Sequence, residues 1–107
     1  MQHIRARDLA DWLADESRPN PVLLDVREPW EVEMCSLPGS LALPMHLVPV
    51  RSNELNENDE LVVICHHGAR SMQVAMFLER KGFASLFNLT GGVDAWAGEV
   101  DPKFRRY

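Results

Sequence analysis

"VVICHHGARS", residues 62–71, runs an apolar stretch directly into a loop of reactive and charged side chains. Val62, Val63 and Ile64 are β-branched and read as a buried strand, while the residues from Ser71 onward read as a helix. Cys65 therefore falls at the C-terminal end of a strand, the end at which open α/β sheets bind ligands. Working outward, "SMQVAMFLERKG" (71–82) is apolar on most of its circumference from Met72 to Leu78 and suits a helix laid against a sheet, with Gly82 as its stop. "SLFNL" (85–89) gives the next strand, Gly91-Gly92 a turn and "VDAWAG" (93–98) a short helix before a polar tail.

Upstream the same alternation holds. "RARDLADWLAD" (5–15) sets Leu9, Trp12 and Leu13 at helical spacing among acidic residues, and this amphipathic helix must end before Pro19 and Pro21. "VLLDV" (22–26) reads as a short buried strand, Pro29 opens a short helix, and "SLALPM" (40–45) is a third strand kept brief by Pro44. Strands alternating with helices imply a mainly parallel central sheet with helices on both faces, an α/β fold of three layers. With no repeat, low-complexity segment or linker, residues 1–107 read as one domain, its core at about 4–97 and a polar tail over 98–107.

Composition narrows the function. The chain has 107 residues, 46% of them hydrophobic and 25% charged, as in an average globular domain. A net charge of -5 argues against a nucleic-acid partner, and no apolar run is long enough to span a membrane. The charged N-terminus does not resemble a signal peptide, so a cytoplasmic location is expected. There Cys35 and Cys65 are expected to be free thiols rather than a disulfide.

If residues His66 to Ser71 curl around Cys65, their backbone N–H groups converge on its sulfur, and the helix beginning near Ser71 adds its positive end. Such a nest favours an anion, so the thiolate is the form expected there. Gly68 permits the positive-φ turn that a tight loop needs, and Arg70 supplies a guanidinium fork for an oxyanion.

"LLDVREPWEVEMCSLPGS", "CHHGARS" and "NLTGGVDAW" occur in the order and spacing of a single rhodanese-like domain, and the resemblance runs from about Ile4 to Trp96. What it implies is a rhodanese-like fold and a sulfurtransferase of the thiosulfate type. Cys65 would take sulfane sulfur from a small-molecule donor such as thiosulfate, hold it as a persulfide, and pass it to a thiophilic acceptor such as cyanide or a thiol. By the same likeness Asp25 and Arg27 hold the fold around the site, and Arg70 closes a loop made of His66, His67, Gly68, Ala69, Arg70 and Ser71. Counted inclusively, Cys65 to Arg70 is six residues, resembling the sulfurtransferase loop rather than the longer one of related phosphatases. The Gly-Ser-Gly run of relatives that prefer mercaptopyruvate is absent. Where relatives commonly read Gly-His before Ile-Pro-Gly, this chain has Cys35-Ser36 before Leu37-Pro38-Gly39.

Plainer readings compete. Cys65 could be a buried structural thiol, and Cys35 is better read as a small loop-filling residue than as a resolving thiol. His66 and His67 could suggest a metal, but neighbours in a tight loop are expected to point apart and no second ligand cluster exists, so neither metal nor cofactor is expected. Lys103, Arg105 and Arg106 read as a solvated tail, and Trp12, Trp30 and Trp96 as core or rim anchors. Two functional alternatives remain: a persulfide carrier delivering sulfur to an accepting protein, and a phosphatase or arsenate reductase built on a similar loop.

Overall fold

The computed structural model describes residues 1–107. Five short strands, β1 (Gln2–Arg5), β2 (Val22–Asp25), β3 (Leu41–Ala42), β4 (Leu61–Ile64) and β5 (Leu86–Thr90), pair in the order β1-β5-β4-β2-β3, every pair parallel. The helices are α1 (Ala6–Ala14), α2 (Pro29–Met34), α3 (Val48–Arg51), α4 (Ala69–Arg80) and α5 (Gly92–Glu99). No helix is long and apolar enough to cross a membrane.

The strand period of two divides the core in half. Leu61 and Val63 of β4, with Cys65 just beyond it, join Val74, Ala75 and Leu78 of α4 on one face, while Val62 and Ile64 join Leu9, Trp12, Val93 and Trp96 of α1 and α5 on the other. All four residues of β4 are buried, as a central parallel strand covered on both faces requires. The same alternation sends Cys65 toward the start of α4. Met72 and Met76 lie on the outer side of that helix and are exposed, so its apolar circumference is narrower than the sequence implies.

Four elements differ from the sequence reading. β1 is an added edge strand, paired to β5 from Gln2↔Phe87 to Arg5↔Thr90, and its mostly exposed polar residues carry no hydrophobic signal. Beyond the SLALPM stretch the sequence marks no element, and residues 45–54 form α3 with a short 3-10 piece on either side. α4 begins at Ala69, two residues before the expected start, because Gly68 takes the N-cap position at φ +106. The tail beyond α5 is not simply solvated: Phe104 and Tyr107 pack against the α1/α5 half of the core, and Arg106 pairs with Asp94. Trp30 is 59% exposed and meets Tyr107 edge-on, so it anchors a rim rather than the core.

Candidate functional site

The C-terminal ends of β2, β4 and β5 deliver one segment each to a common spot. From β4 comes Cys65, whose sulfur is 3.0 Å from the Gly68 amide that donates to it and 3.3 Å from the Ser71 hydroxyl. The expected ring of amides is thus sparser, one backbone N–H and one hydroxyl. Both stand at the first turn of α4, whose positive end supports negative charge on sulfur. Cys65 is 1% exposed, Ser71 is buried, and His67 and Ala69 lie on the outside of the loop.

The turn after β5 holds the start of this loop. The Val93 and Asp94 amides of α5 donate to the Cys65 and His66 carbonyls at 2.9 and 3.1 Å. Gly92 sits so close beneath them that a Cβ would come within 2.3 Å of the Cys65 carbonyl oxygen and 2.4 Å of that of His66. Its φ of +58 is a second reason for glycine. The sequence marks Gly91-Gly92 as a turn; the structure makes the second glycine a close-packed support for the loop.

From β2 comes an ionic network. Arg27 is fully buried and forks onto Asp25, with Nε to Oδ1 at 2.9 Å and Nη2 to Oδ2 at 2.8 Å. It also donates to the Tyr107 hydroxyl at 3.0 Å and more loosely to the Cys35 sulfur at 3.7 Å. Burial opposes its charge, but the hydrogen bonds to Asp25, Tyr107 and Cys35 outweigh burial and raise it further above the usual guanidinium range. Asp25 and Arg27 therefore sit together as an ion pair beneath the site.

Arg70 does not present an empty fork. Its two terminal nitrogens donate to Glu31 Oε1 and Oε2 at 2.7 and 2.8 Å. Glu31 also accepts from the Glu28 amide at 2.9 Å and the Tyr107 hydroxyl at 2.7 Å, so four donors fill its two oxygens. The Arg70 guanidinium, above all, holds the Glu31 carboxyl down at about 2. Glu31 in turn raises Arg70 above its ordinary value. Burial pushes the Tyr107 hydroxyl up to about 12.

His66 and His67 do not point apart. Their rings stack with centroids 3.9 Å apart, and the Tyr107 ring stacks on His66 at 3.9 Å and 11°. The expected divergence fails because aromatic stacking gathers these side chains above the loop. Burial, then the neighbouring His67, lowers the His66 pKa and favours the neutral ring. Donor atoms of His66, His67 and Asp94 all lie within 4.8 Å of one another. Stacked imidazoles aim their in-plane lone pairs side by side rather than at one point, a poor arrangement for sharing a metal ion.

No local pattern in the sequence marks Glu31, Tyr107 or Asn88 as a site residue, and Gly92 reads there only as part of a turn. Only Gly92 had a usable signal, a glycine pair immediately after a strand. Tyr107 reaches Glu31 across 76 positions, a contact no local pattern encodes.

The sequence model of the Rhodanese-like domain family matches residues 9–99. A protein of Allochromatium vinosum named "Sulfurtransferase" is 37% identical over 97 residues, covering 91% of this chain and 89% of its own length. The putative sulfurtransferase YtwF of Bacillus subtilis is 40% identical over 81 residues, 76% of this chain and 78% of that one. The putative sulfur carrier protein YrkF of the same organism is 42% identical over 79 residues, 74% of this chain but only 43% of its own length. Among solved structures, a rhodanese-like domain protein from Staphylococcus aureus superposes with a TM-score of 0.84 at 31% identity, covering 100% of this chain and 99% of that one.

Proposed function

The chain belongs to the rhodanese-like domain family, and from that premise we propose that it moves sulfane sulfur through a persulfide on Cys65. Relatives named as sulfurtransferases and as a sulfur carrier support sulfur transfer of the rhodanese type. The finer reading rests on one observation: Cys65 Sγ lies at the first turn of α4 with the Gly68 amide donating to it. A group so placed stabilises sulfur in its anionic forms, both thiolate and persulfide.

In this reading the Cys65 thiolate attacks the outer sulfur of thiosulfate. The sulfur–sulfur bond of the donor breaks, sulfite leaves with the bonding electron pair, and Cys65 carries a terminal anionic sulfur. Cyanide or a thiolate then attacks that sulfur and restores the thiolate. Gly68 N–H and the positive end of α4 hold the charge, joined by the Ser71 hydroxyl once it turns from Asn88 to the sulfur; Arg70 orients the anionic donor, and the Asp25–Arg27 pair keeps the loop's floor in place. Because Cys65 is 1% exposed, uptake requires the loop from His66 to Arg70 to move. The two free thiols fit a reducing cytoplasm, and the whole chain acts as one rhodanese-like domain.

The test is intact mass. Protein incubated with thiosulfate and no acceptor should gain roughly 32 Da on Cys65, lose it to cyanide and release thiocyanate. Cys65→Ser should abolish both steps and Cys35→Ser neither. Label on Cys35, or turnover by Cys65→Ser, refutes the assignment. The sulfur-carrier alternative keeps this persulfide and differs in its acceptor: a loaded protein that ignores cyanide but passes sulfur to a protein thiol would establish it. Hydrolysis of an aryl phosphate without sulfur uptake would replace both with the phosphatase reading.

A further inference from the structure

The Cys65 sulfur belongs to a hydrogen-bonded chain that leaves the loop and crosses two strands. Ser71 Oγ lies 3.3 Å from the sulfur and donates to Asn88 Oδ1, and Asn88 Nδ2 lies 3.4 Å from His3 Nδ1 on β1. Ser71 is fully buried and Asn88 is 4% exposed, while His3 faces solvent. Asn88 and His3 are direct partners in the parallel β1–β5 pairing. Asn88 also shares the face of β5 that meets α4, two positions from Leu86 of the core on that side.

The polarity of this chain is fixed by its proton count. A serine hydroxyl has one hydrogen. If Ser71 gives it to Asn88 Oδ1, it has none for sulfur, and the remaining contact must run from the Cys65 S–H to Ser71 Oγ. The arrangement as it stands therefore suits the neutral thiol, with His3 accepting at Nδ1. A thiolate has no hydrogen to give and needs the Ser71 hydroxyl turned toward it. That would leave Asn88 Oδ1 buried beside a serine oxygen with no hydrogen between them, an unsatisfied buried acceptor, unless Asn88 also responds.

We infer that Asn88 is a positioning residue that reverses this chain, its side-chain amide turning over when Cys65 becomes anionic. After the turn, Ser71 O–H donates to sulfur, Asn88 Nδ2 donates to Ser71 Oγ, and His3 Nδ1–H donates to Asn88 Oδ1. The oxygen and nitrogen ends of the amide are nearly the same size, so the turn needs no repacking. His3 supplies the last hydrogen by carrying it on Nδ1 instead of Nε2. No proton travels along the chain; the thiol hydrogen is lost to solvent and the donors merely reorient. Asn88 acts through Ser71 and touches no reacting atom.

This inference rests on the reading of Cys65 as nucleophile but not on its substrate, so its test uses alkylation rather than sulfur transfer. Iodoacetamide is applied at neutral pH, and modification of Cys65 is followed by peptide mass, with circular dichroism reporting the fold. Asn88→Asp places an acceptor-only carboxylate beside Ser71, holds its hydroxyl away from sulfur, and should slow alkylation at least about tenfold. Asn88→Ala releases the hydroxyl and should alkylate no more slowly than the parent. In a Ser71→Ala background the Asn88→Asp slowing should shrink below about threefold, since the route to sulfur is gone.

Equal slowing by Asn88→Asp and Asn88→Ala would make Asn88 merely structural. Slowing that persists in full without Ser71 would be a through-space charge effect. A parental rate for Asn88→Asp would mean that the chain does not respond to the thiolate. Each of these overturns the inference. Should Asn88→Asp fail to fold, Asn88→Ala decides alone, because a slower rate there contradicts it. Failure of thiosulfate to load Cys65 would count against the proposed function and leave these alkylation ratios untouched.

Discussion

Replacing Glu31 with glutamine tests the network beneath Arg70. The carboxylate accepts four hydrogen bonds, two from Arg70 and one each from the Glu28 amide and the Tyr107 hydroxyl. Those donors hold its pKa at about 2, against an ordinary value of 4.5. At 1.36 kcal/mol per unit, the difference is about 3 kcal/mol of folding stability at neutral pH. The carboxyl is depressed in the folded protein, so this stability is fully present above about pH 4.5 and is lost as pH falls toward about 2. Glu31→Gln keeps one accepting oxygen and turns the other into a donor facing cationic or hydroxyl groups, so it should cost about 2–3 kcal/mol at pH 7. Urea unfolding of both proteins at pH 7, 4 and 2.5 measures the gap, and urea does not screen charge as guanidinium would. The other depressed carboxyls, Asp15, Glu54 and Asp94, titrate in both proteins and cancel in the difference. The gap should narrow to about 1 kcal/mol at pH 2.5. A gap that stays constant across that range would refute the coupling of Glu31 to Arg70 and Tyr107.

Two further outcomes follow from the same site. Gly92→Ala drives a Cβ into the Cys65 and His66 carbonyls and should cost about 3 kcal/mol or more in urea unfolding, whereas Gly39→Ala, also at positive φ but with nothing within 4 Å, should cost about 1 kcal/mol; equal costs would deny Gly92 its supporting role. Tyr107 is the only tyrosine, so phenolate absorbance reports it alone, and its midpoint should lie near 12 while circular dichroism still shows the fold; a midpoint near 10 would mean that Tyr107 is not seated between Arg27 and Glu31.

The parts legible in the sequence are those with a local pattern. Val62 to Ile64 announce a doubly covered strand, and the period of two then fixes which face Cys65 takes. Pro29 and Gly82 mark element ends through backbone geometry that other residues adopt at a cost. The parts that escaped are held by partners distant in the chain or by the backbone alone. β1 is defined by ladder hydrogen bonds to β5 while its side chains stay polar, so it has no apolar signature. Glu31 lies in a six-residue helix where an acidic residue ordinarily faces water, and only Arg70 from α4 and Tyr107 from the tail make its burial tolerable. The sequence points to the Arg70 fork but not to its occupant.

That occupant bears on what the loop can hold. Arg27 and Arg70 bring two positive charges to the floor of the site, and Asp25 and Glu31 bring two negative ones at hydrogen-bond distance. The ionic floor is therefore balanced before any substrate arrives, and what remains for an anion is the Gly68 amide, the Ser71 hydroxyl, the positive end of α4 and the unused N–H groups of Arg70. One negative charge on sulfur is matched by such donors, whose partial charges amount to about half a unit at a helix end plus neutral hydrogen bonds. A phosphoryl group at neutral pH carries about two charges and is ordinarily met by an uncommitted guanidinium forking onto its oxygens. To supply that, Arg70 would have to leave Glu31, abandoning a bidentate pair and stranding a buried carboxylate. A persulfide asks for no such exchange, so the charge balance beneath Cys65 suits a held persulfide better than a phosphorylated cysteine, while thiosulfate, itself a dianion, would be met as it docks by the unused N–H groups of Arg70.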